Sequence, residues 1–214
     1  MSRTRIKICG LTRPADVALA VALGADAVGF VRYRASPRYV ELRQLESALR
    51  ELPAFVTPVL LFVNATEAEV RAALDVAPNA LLQFHGDETE SDCARFGRSY
   101  VRAVRMGEGV DLLDCAARFA SASALLADAP AEGYGGGGKT FDWSRVPPPA
   151  ARPKLLVLAG GLTPENVGAA IGAVRPYAVD VASGVEERPG VKSAEKLKRF
   201  FAAVAGADAE LNPR

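Results

Sequence analysis

Residues 1–30 read MSRTRIKICGLTRPADVALAVALGADAVGF, and the spacing of apolar positions in this stretch decides the fold. Ile6–Cys9 alternates with the two-residue period of a strand, so Ile6 and Ile8 face one side while Lys7 and Cys9 face the other. Gly10 ends the run, and Thr12 ahead of Pro14 signals a helix start. Ala15–Leu23 then carries a helical pattern, and after Gly24 the chain turns apolar and β-branched again at Ala27–Val31. Strand, helix, strand in so short a span is a parallel βαβ unit.

The unit repeats along the chain. Further strand-like runs fall at Thr57–Val63, Leu81–Phe84, Tyr100–Val104, Leu125–Asp128, Leu155–Ala159 and Val179–Ala182. Helical patterns fall at Leu42–Leu52, Glu67–Val76, Glu88–Phe96, Leu112–Phe119, Pro164–Ile171 and Ala194–Val204. Thr66 with Glu69, and Thr163 with Pro164 and Asn166, read as helix starts. Eight strands in 214 residues leave roughly 25 residues per βα unit, near the lower limit for a (β/α)8 barrel. The expected fold is therefore α/β, a compact single (β/α)8 TIM barrel over residues 1–206, with 207–214 as a frayed tail. A doubly wound open sheet is the competitor, but no G-x-G-x-x-G follows the first strand. Asp142–Lys154, DWSRVPPPAARPK, is too proline-rich for an ordinary helix, so the sixth crossover is expected to be irregular.

Half the residues are hydrophobic, and 26 Lys plus Arg stand against 25 Asp plus Glu. A field this close to neutral argues against nucleic acid or a membrane surface as partner. It leaves room for a small anionic ligand held by a local positive site. No apolar run is long enough to span a bilayer, no signal-like segment opens the chain, and a cytoplasmic location is expected. Cysteines at 9, 93 and 115 have neither metal-ligand spacing nor an even count for a disulfide framework.

In a barrel the chemistry gathers at the C-terminal ends of the strands. Reading those ends alone collects Cys9-Gly10, Gln83-Phe84-His85-Gly86, Asp128, Gly160-Gly161 and Asp180 with Ser183-Gly184. Cys9 is either a small buried hydrophobe or a usable base or nucleophile, since modest electrostatic help brings a thiol into the neutral range. Cys93 and Cys115, inside helical patterns, read as packing. Asp128 ends the run SALLAD and is either an N-cap or turn residue or a catalytic acid or base. The glycines after the seventh and eighth strands let backbone amides approach a ligand, at the strands where barrels commonly hold a phosphate. Arg38, in RASPRYV, is suited to a bidentate carboxylate contact or to solvent. His85, the one histidine, is a hydrogen-bonding or a catalytic group.

Taken in order, K-I-C-G, S-P-R-Y-V, Q-F-H-G, L-L-A-D, G-G-G-G-K-T-F-D-W, L-A-G-G-L, V-D-V-A-S-G-V-E and P-G-V-K closely resemble the phosphoribosylanthranilate isomerase family of tryptophan biosynthesis. The resemblance implies a compact (β/α)8 barrel that works without metal or organic cofactor, as a monomer or homodimer. The implied reaction is an Amadori rearrangement of N-(5′-phosphoribosyl)anthranilate to 1-(2-carboxyphenylamino)-1-deoxy-D-ribulose 5-phosphate. It also implies roles: Cys9 as general base and Asp128 as general acid. Arg38 would meet the anthranilate carboxylate and Asp180 its amino nitrogen. Gln83 and His85 would line the mouth, and the backbones of Gly160, Gly161, Ser183 and Gly184 would take the phosphate.

Three positions depart from the family's habit: Gly137 replaces a threonine in the glycine loop, Arg32 stands where an aromatic residue is commoner, and Ser193 replaces an aspartate. Three rival readings remain. Lys7 suits a Schiff-base aldolase on the same scaffold. Gly133 to Thr140 satisfies the P-loop pattern, though the prolines that follow disfavour the helix a P-loop requires. A phosphosugar sensor without turnover is the third.

Overall fold

In the computed structural model, which describes residues 3–130 and 140–211, eight parallel strands close into a barrel in chain order. They are β1 Arg5–Ile8, β2 Ala27–Val31, β3 Thr57–Phe62, β4 Leu81–Phe84, β5 Tyr100–Arg105, β6 Ala124–Asp128, β7 Leu155–Leu158 and β8 Ala178–Val181. Between them run α1 Pro14–Ala22, α2 Leu42–Leu49, α3 Glu67–Val76, α4 Glu90–Ala94, α5 Leu112–Arg118 and, after β7, α6 Val167–Val174. A hairpin, β9 Glu186–Arg188 and β10 Val191–Lys192, follows β8 and leads into α7 Ala194–Leu211. The expected barrel is thus the observed one, and the open sheet is excluded by the pairing of β1 with β8.

The period-two reading of the first strand holds in three dimensions. Ile6 and Ile8 belong to the large apolar cluster between strands and helices, while Lys7 pairs with a residue inside the barrel. The interior is filled in layers, a lower one of Val101, Ala103, Ala124, Leu126, Val157, Ala159 and Ala178 and an upper one of Cys9, Val31, Leu61 and Val63. The sixth crossover is irregular as expected. Among the described residues it contains only two single 3-10 turns, Trp143–Arg145 and Pro149–Ala151. The glycine-rich stretch 131–139, with Gly137, lies outside the described residues. A 3-10 turn after Thr140 is no helix N-terminus for phosphates, which removes the P-loop reading.

Several local expectations are corrected. Residues 207–211, expected in a frayed tail, continue α7: Ala207 is buried, and Asp208 accepts hydrogen bonds from Thr4 N and Oγ1 at 2.8 and 2.6 Å. Thr66 caps α3 in a reciprocal box with Glu69, as read, and Thr89 does the same for α4 with Asp92. Thr12 does not cap α1, whose N-cap is Arg13; its hydroxyl instead donates to Gly190 O and ties the first loop to the β9–β10 hairpin. The helix expected from Pro164 begins at Val167, because Asn166 Oδ1 accepts from Thr163 N and holds the preceding residues in a turn. No helix among the described residues is long and apolar enough to cross a membrane.

Candidate active site

Strand ends converge on a cavity of about 330 Å3 at the C-terminal face of the barrel. Cys9, Arg38, Gln83, His85, Asp128, Gly160, Gly161, Asp180, Ser183 and Gly184, the ten residues singled out from sequence, all line it. They come from six separate chain segments, so only barrel closure brings them together.

On one wall the polar groups form a chain. His85 Nε2 lies 3.0 Å from Asp128 Oδ2, and Gln83 Nε2 lies 3.4 Å from His85 Nδ1. Asp128 Oδ1 accepts from the amide of Ala129 at 2.9 Å. Gln83 Oε1 is buried with no hydrogen-bond partner among the described residues. The exit of β4 that carries Gln83 and His85 is braced from behind. Glu88 accepts from the amides of Asn64 and Gly86 at 2.7 and 2.8 Å, and pairs with buried Arg102 at 2.8 Å. Arg102 in turn donates to Gly86 O at 2.7 Å.

The opposite wall is ionic. Lys7 and Asp180 are register partners on neighbouring strands, and their side chains meet at 2.9 Å, each less than a tenth exposed. Cys9 lies two residues on, just past the end of β1. Its burial pushes the thiol up, opposed by the Lys7 ammonium. Burial pulls Lys7 down, but the Asp180 carboxylate and the Cys9 thiol together outweigh it and leave the ammonium raised. An amine held charged in this way is a poor Schiff-base nucleophile, which speaks against the aldolase reading. Arg38 donates to both oxygens of Glu186, Nε to Oε1 at 2.9 Å and a terminal nitrogen to Oε2 at 2.7 Å. Lys192, fully buried, shares Glu186 Oε1 at 2.9 Å and donates to Ala182 O.

Glu186 and Lys192 enter the sequence reading only as letters of longer motifs. Their role rests on the hairpin folding Lys192 back onto Ala182 at the end of β8, and no local spacing signals that. Gly29 is also absent from that reading, yet a glycine inside a strand signals a close approach. A Cβ there would stand 2.9 Å from Cys9 Sγ and 3.1 Å from Lys7 Nζ. Gly160 and Gly161, at φ +82° and +62°, occupy the left-handed region that favours glycine. Of the departures, Arg32 stacks on Tyr39 and donates to Val40 O, and Ser193 Oγ accepts from Lys196 N at the start of α7. Cys93 is pushed up to about 12 by burial, in keeping with a packing role.

A parallel barrel whose strand ends bring a thiol, a carboxylate and an imidazole to one cleft defines a (β/α)8-barrel enzyme of acid–base type. Residues 6–203 match the family model described as N-(5′-phosphoribosyl)anthranilate isomerase. An N-(5′-phosphoribosyl)anthranilate isomerase of Leptothrix cholodnii is 56% identical over 208 residues, covering 97% of this chain and 94% of its own. The solved phosphoribosylanthranilate isomerase of Thermotoga maritima is 39% identical with a TM-score of 0.86, covering 95% and 99% of the two chains. Monomers of that dimeric enzyme have also been solved. A further solved member, 36% identical with a TM-score of 0.83 over 95% and 99%, holds reduced 1-(o-carboxyphenylamino)-1-deoxyribulose 5-phosphate. The chain belongs to the phosphoribosylanthranilate isomerase family.

Proposed function

We propose that this cavity isomerises N-(5′-phosphoribosyl)anthranilate to 1-(2-carboxyphenylamino)-1-deoxy-D-ribulose 5-phosphate, with Cys9 as base and Asp128 as acid. The observation that carries the reading is that both groups line one cavity in a chain of this family. Asp128 delivers a proton to the furanose oxygen as its bond to the anomeric carbon breaks, and the nitrogen lone pair forms the C=N bond of a Schiff base. The Cys9 thiolate then takes the C2′ proton, giving an enolamine that tautomerises to the ketone. Arg38, held by Glu186, faces the anthranilate carboxylate, and Asp180 its amino nitrogen. Gln83 and His85 border the reacting centre. The glycine loops at 160–161 and 183–184 offer backbone amides to the phosphate. The place of this work is the cytoplasm, where the substrate's phosphate keeps it. Mixing purified protein with fluorescent phosphoribosylanthranilate tests the reaction: the signal decays with turnover. Cys9→Ala and Asp128→Ala should each lower kcat by roughly 10²–10⁴. Turnover near that of the unaltered protein in either variant removes that residue from the mechanism.

The assembly that fits this chain is a homodimer through the opposite, N-terminal barrel face. Phe55 is 102% exposed at φ +73°, and Leu155 and Tyr177 are 47% and 37% exposed. All three border an apolar cavity of about 360 Å3 floored by Val59, Leu126 and Val157. A two-fold copy would set each Phe55 into the other's cavity, an isologous contact of knob and hole. Light scattering should report a dimer, and Phe55→Glu a monomer. A monomer at the highest soluble concentration of the unaltered protein refutes it.

A further inference from the structure

A thiol withdrawn from water is a weak base, because burial disfavours its anion. Cys9 is 6% exposed, so the base assigned to it above needs a neighbour that favours the thiolate. The groups that face it come from every element around it. Lys7 lies on its own strand, Asp180 on β8, Lys192 on β10 and Arg38 on the loop after β2. Glu186, on β9, is bound by both Arg38 and Lys192, and the Tyr33 side chain packs in the same cluster. The charged set holds three cations and two carboxylates, one positive charge that a thiolate would balance.

Among the cations, Lys7 has the position to act directly. An ammonium carries three donors. Asp180 takes one at 2.9 Å, and anchors Nζ inside the barrel. Nζ and Cys9 Sγ both lie against the bare Cα of Gly29, where a methyl group would stand 3.1 Å from one and 2.9 Å from the other. No side chain at 29 intervenes between them. Arg38 and Lys192, by contrast, are occupied by Glu186.

We propose that Lys7 is the positioning residue for Cys9, its ammonium fixed by Asp180 and laid beside the sulfur across Gly29 so that the thiolate has a cation to rest on. Lys7 touches no reacting atom of the substrate; it acts through the sulfur. This rests on Cys9 being the base, and its test does not need turnover.

The thiolate of Cys9 is titrated by ultraviolet absorbance, as the difference between each protein and its Cys9→Ser counterpart, so that Cys93 and Cys115 cancel. Lys7→Met should raise the midpoint by about one pH unit, a tenfold loss of thiolate at a fixed pH below it. Lys7→Arg keeps the charge and should hold the midpoint near that of the unaltered protein. Gly29→Ala keeps both groups, wedges a methyl between them, and should raise the midpoint even if Lys7→Met fails to fold. The acid limb of kcat against pH should move with the thiol while KM stays, whereas a merely structural role lowers kcat at every pH alike. Unmoved midpoints in Lys7→Met or, where that variant does not fold, in Gly29→Ala overturn the proposal. A titration that moves as stated, in a protein that leaves phosphoribosylanthranilate unchanged, refutes the isomerase reading and not this one.

Discussion

Replacing Glu186 with alanine removes the acceptor that two buried cations share. Lys192 is fully buried as a side chain and Arg38 is 13% exposed; without Glu186, Lys192 keeps, among the described residues, only the Ala182 carbonyl. Breaking a buried ion pair from one side costs about 3–5 kcal/mol, because a charge stays behind without water or partner. For a chain of this size each kcal/mol moves the melting point by roughly 2–4 °C, so calorimetry should find Tm lower by about 6–20 °C. The pH dependence offers a second check. Burial pushes the Glu186 carboxyl up, but the Arg38 hydrogen bonds and then Lys192 pull it further down, to a net position below its ordinary 4.5. A depressed carboxyl contributes stability that is complete above the unfolded value and is lost as pH falls through the folded one. The gap between unaltered and variant protein should therefore be full at neutral pH and narrow below about 4.5. A Tm within 2 °C or so of the parent at neutral pH, or a gap indifferent to acid, refutes the reasoning. Either result would mean that the two cations find water once Glu186 is gone.

Arg38→Ala should raise KM more than it lowers kcat, since the anthranilate carboxylate does not react; steady-state kinetics with an unchanged KM places that carboxylate elsewhere. Glu88→Ala removes the buried carboxylate to which Arg102 and the amides of Asn64 and Gly86 donate, and urea unfolding should report a loss of about 3–5 kcal/mol, with kcat falling as the β4 exit loosens. A loss below ~1 kcal/mol counts against the brace. Gly160→Ala forces a side chain onto a backbone at φ +82°, about 1–2 kcal/mol of strain, against the backbone of Ala129. Affinity for inorganic phosphate should fall, and an unchanged affinity means that this loop does not hold the anion.

The alternation of apolar runs by itself determined a parallel sheet covered by helices, because strand and helix periods are local properties set by which side chains must leave water; the pairing of β1 with β8 decided that the sheet closes. It determined the facing of Lys7 and Cys9 too, because the two-residue period of a strand is geometric. Strand-end position, with the motif order, picked out ten of the residues that line the cavity. Boundaries set by long-range contacts were hidden. The tail at 207–211 is helix because Asp208 finds Thr4 across the chain, and Thr12 serves Gly190 instead of α1. Only closure of the barrel decided which ions pair. Lys7 meets Asp180, and Arg38 and Lys192 share Glu186, because β1 lies beside β8 and the hairpin folds back onto the end of β8. Pairing in a dry interior depends on distance in space, and the chain order of these residues carries no trace of it. Cys9 and Lys7 could be placed by reading their strand; the carboxylate that anchors Lys7 needed the fold.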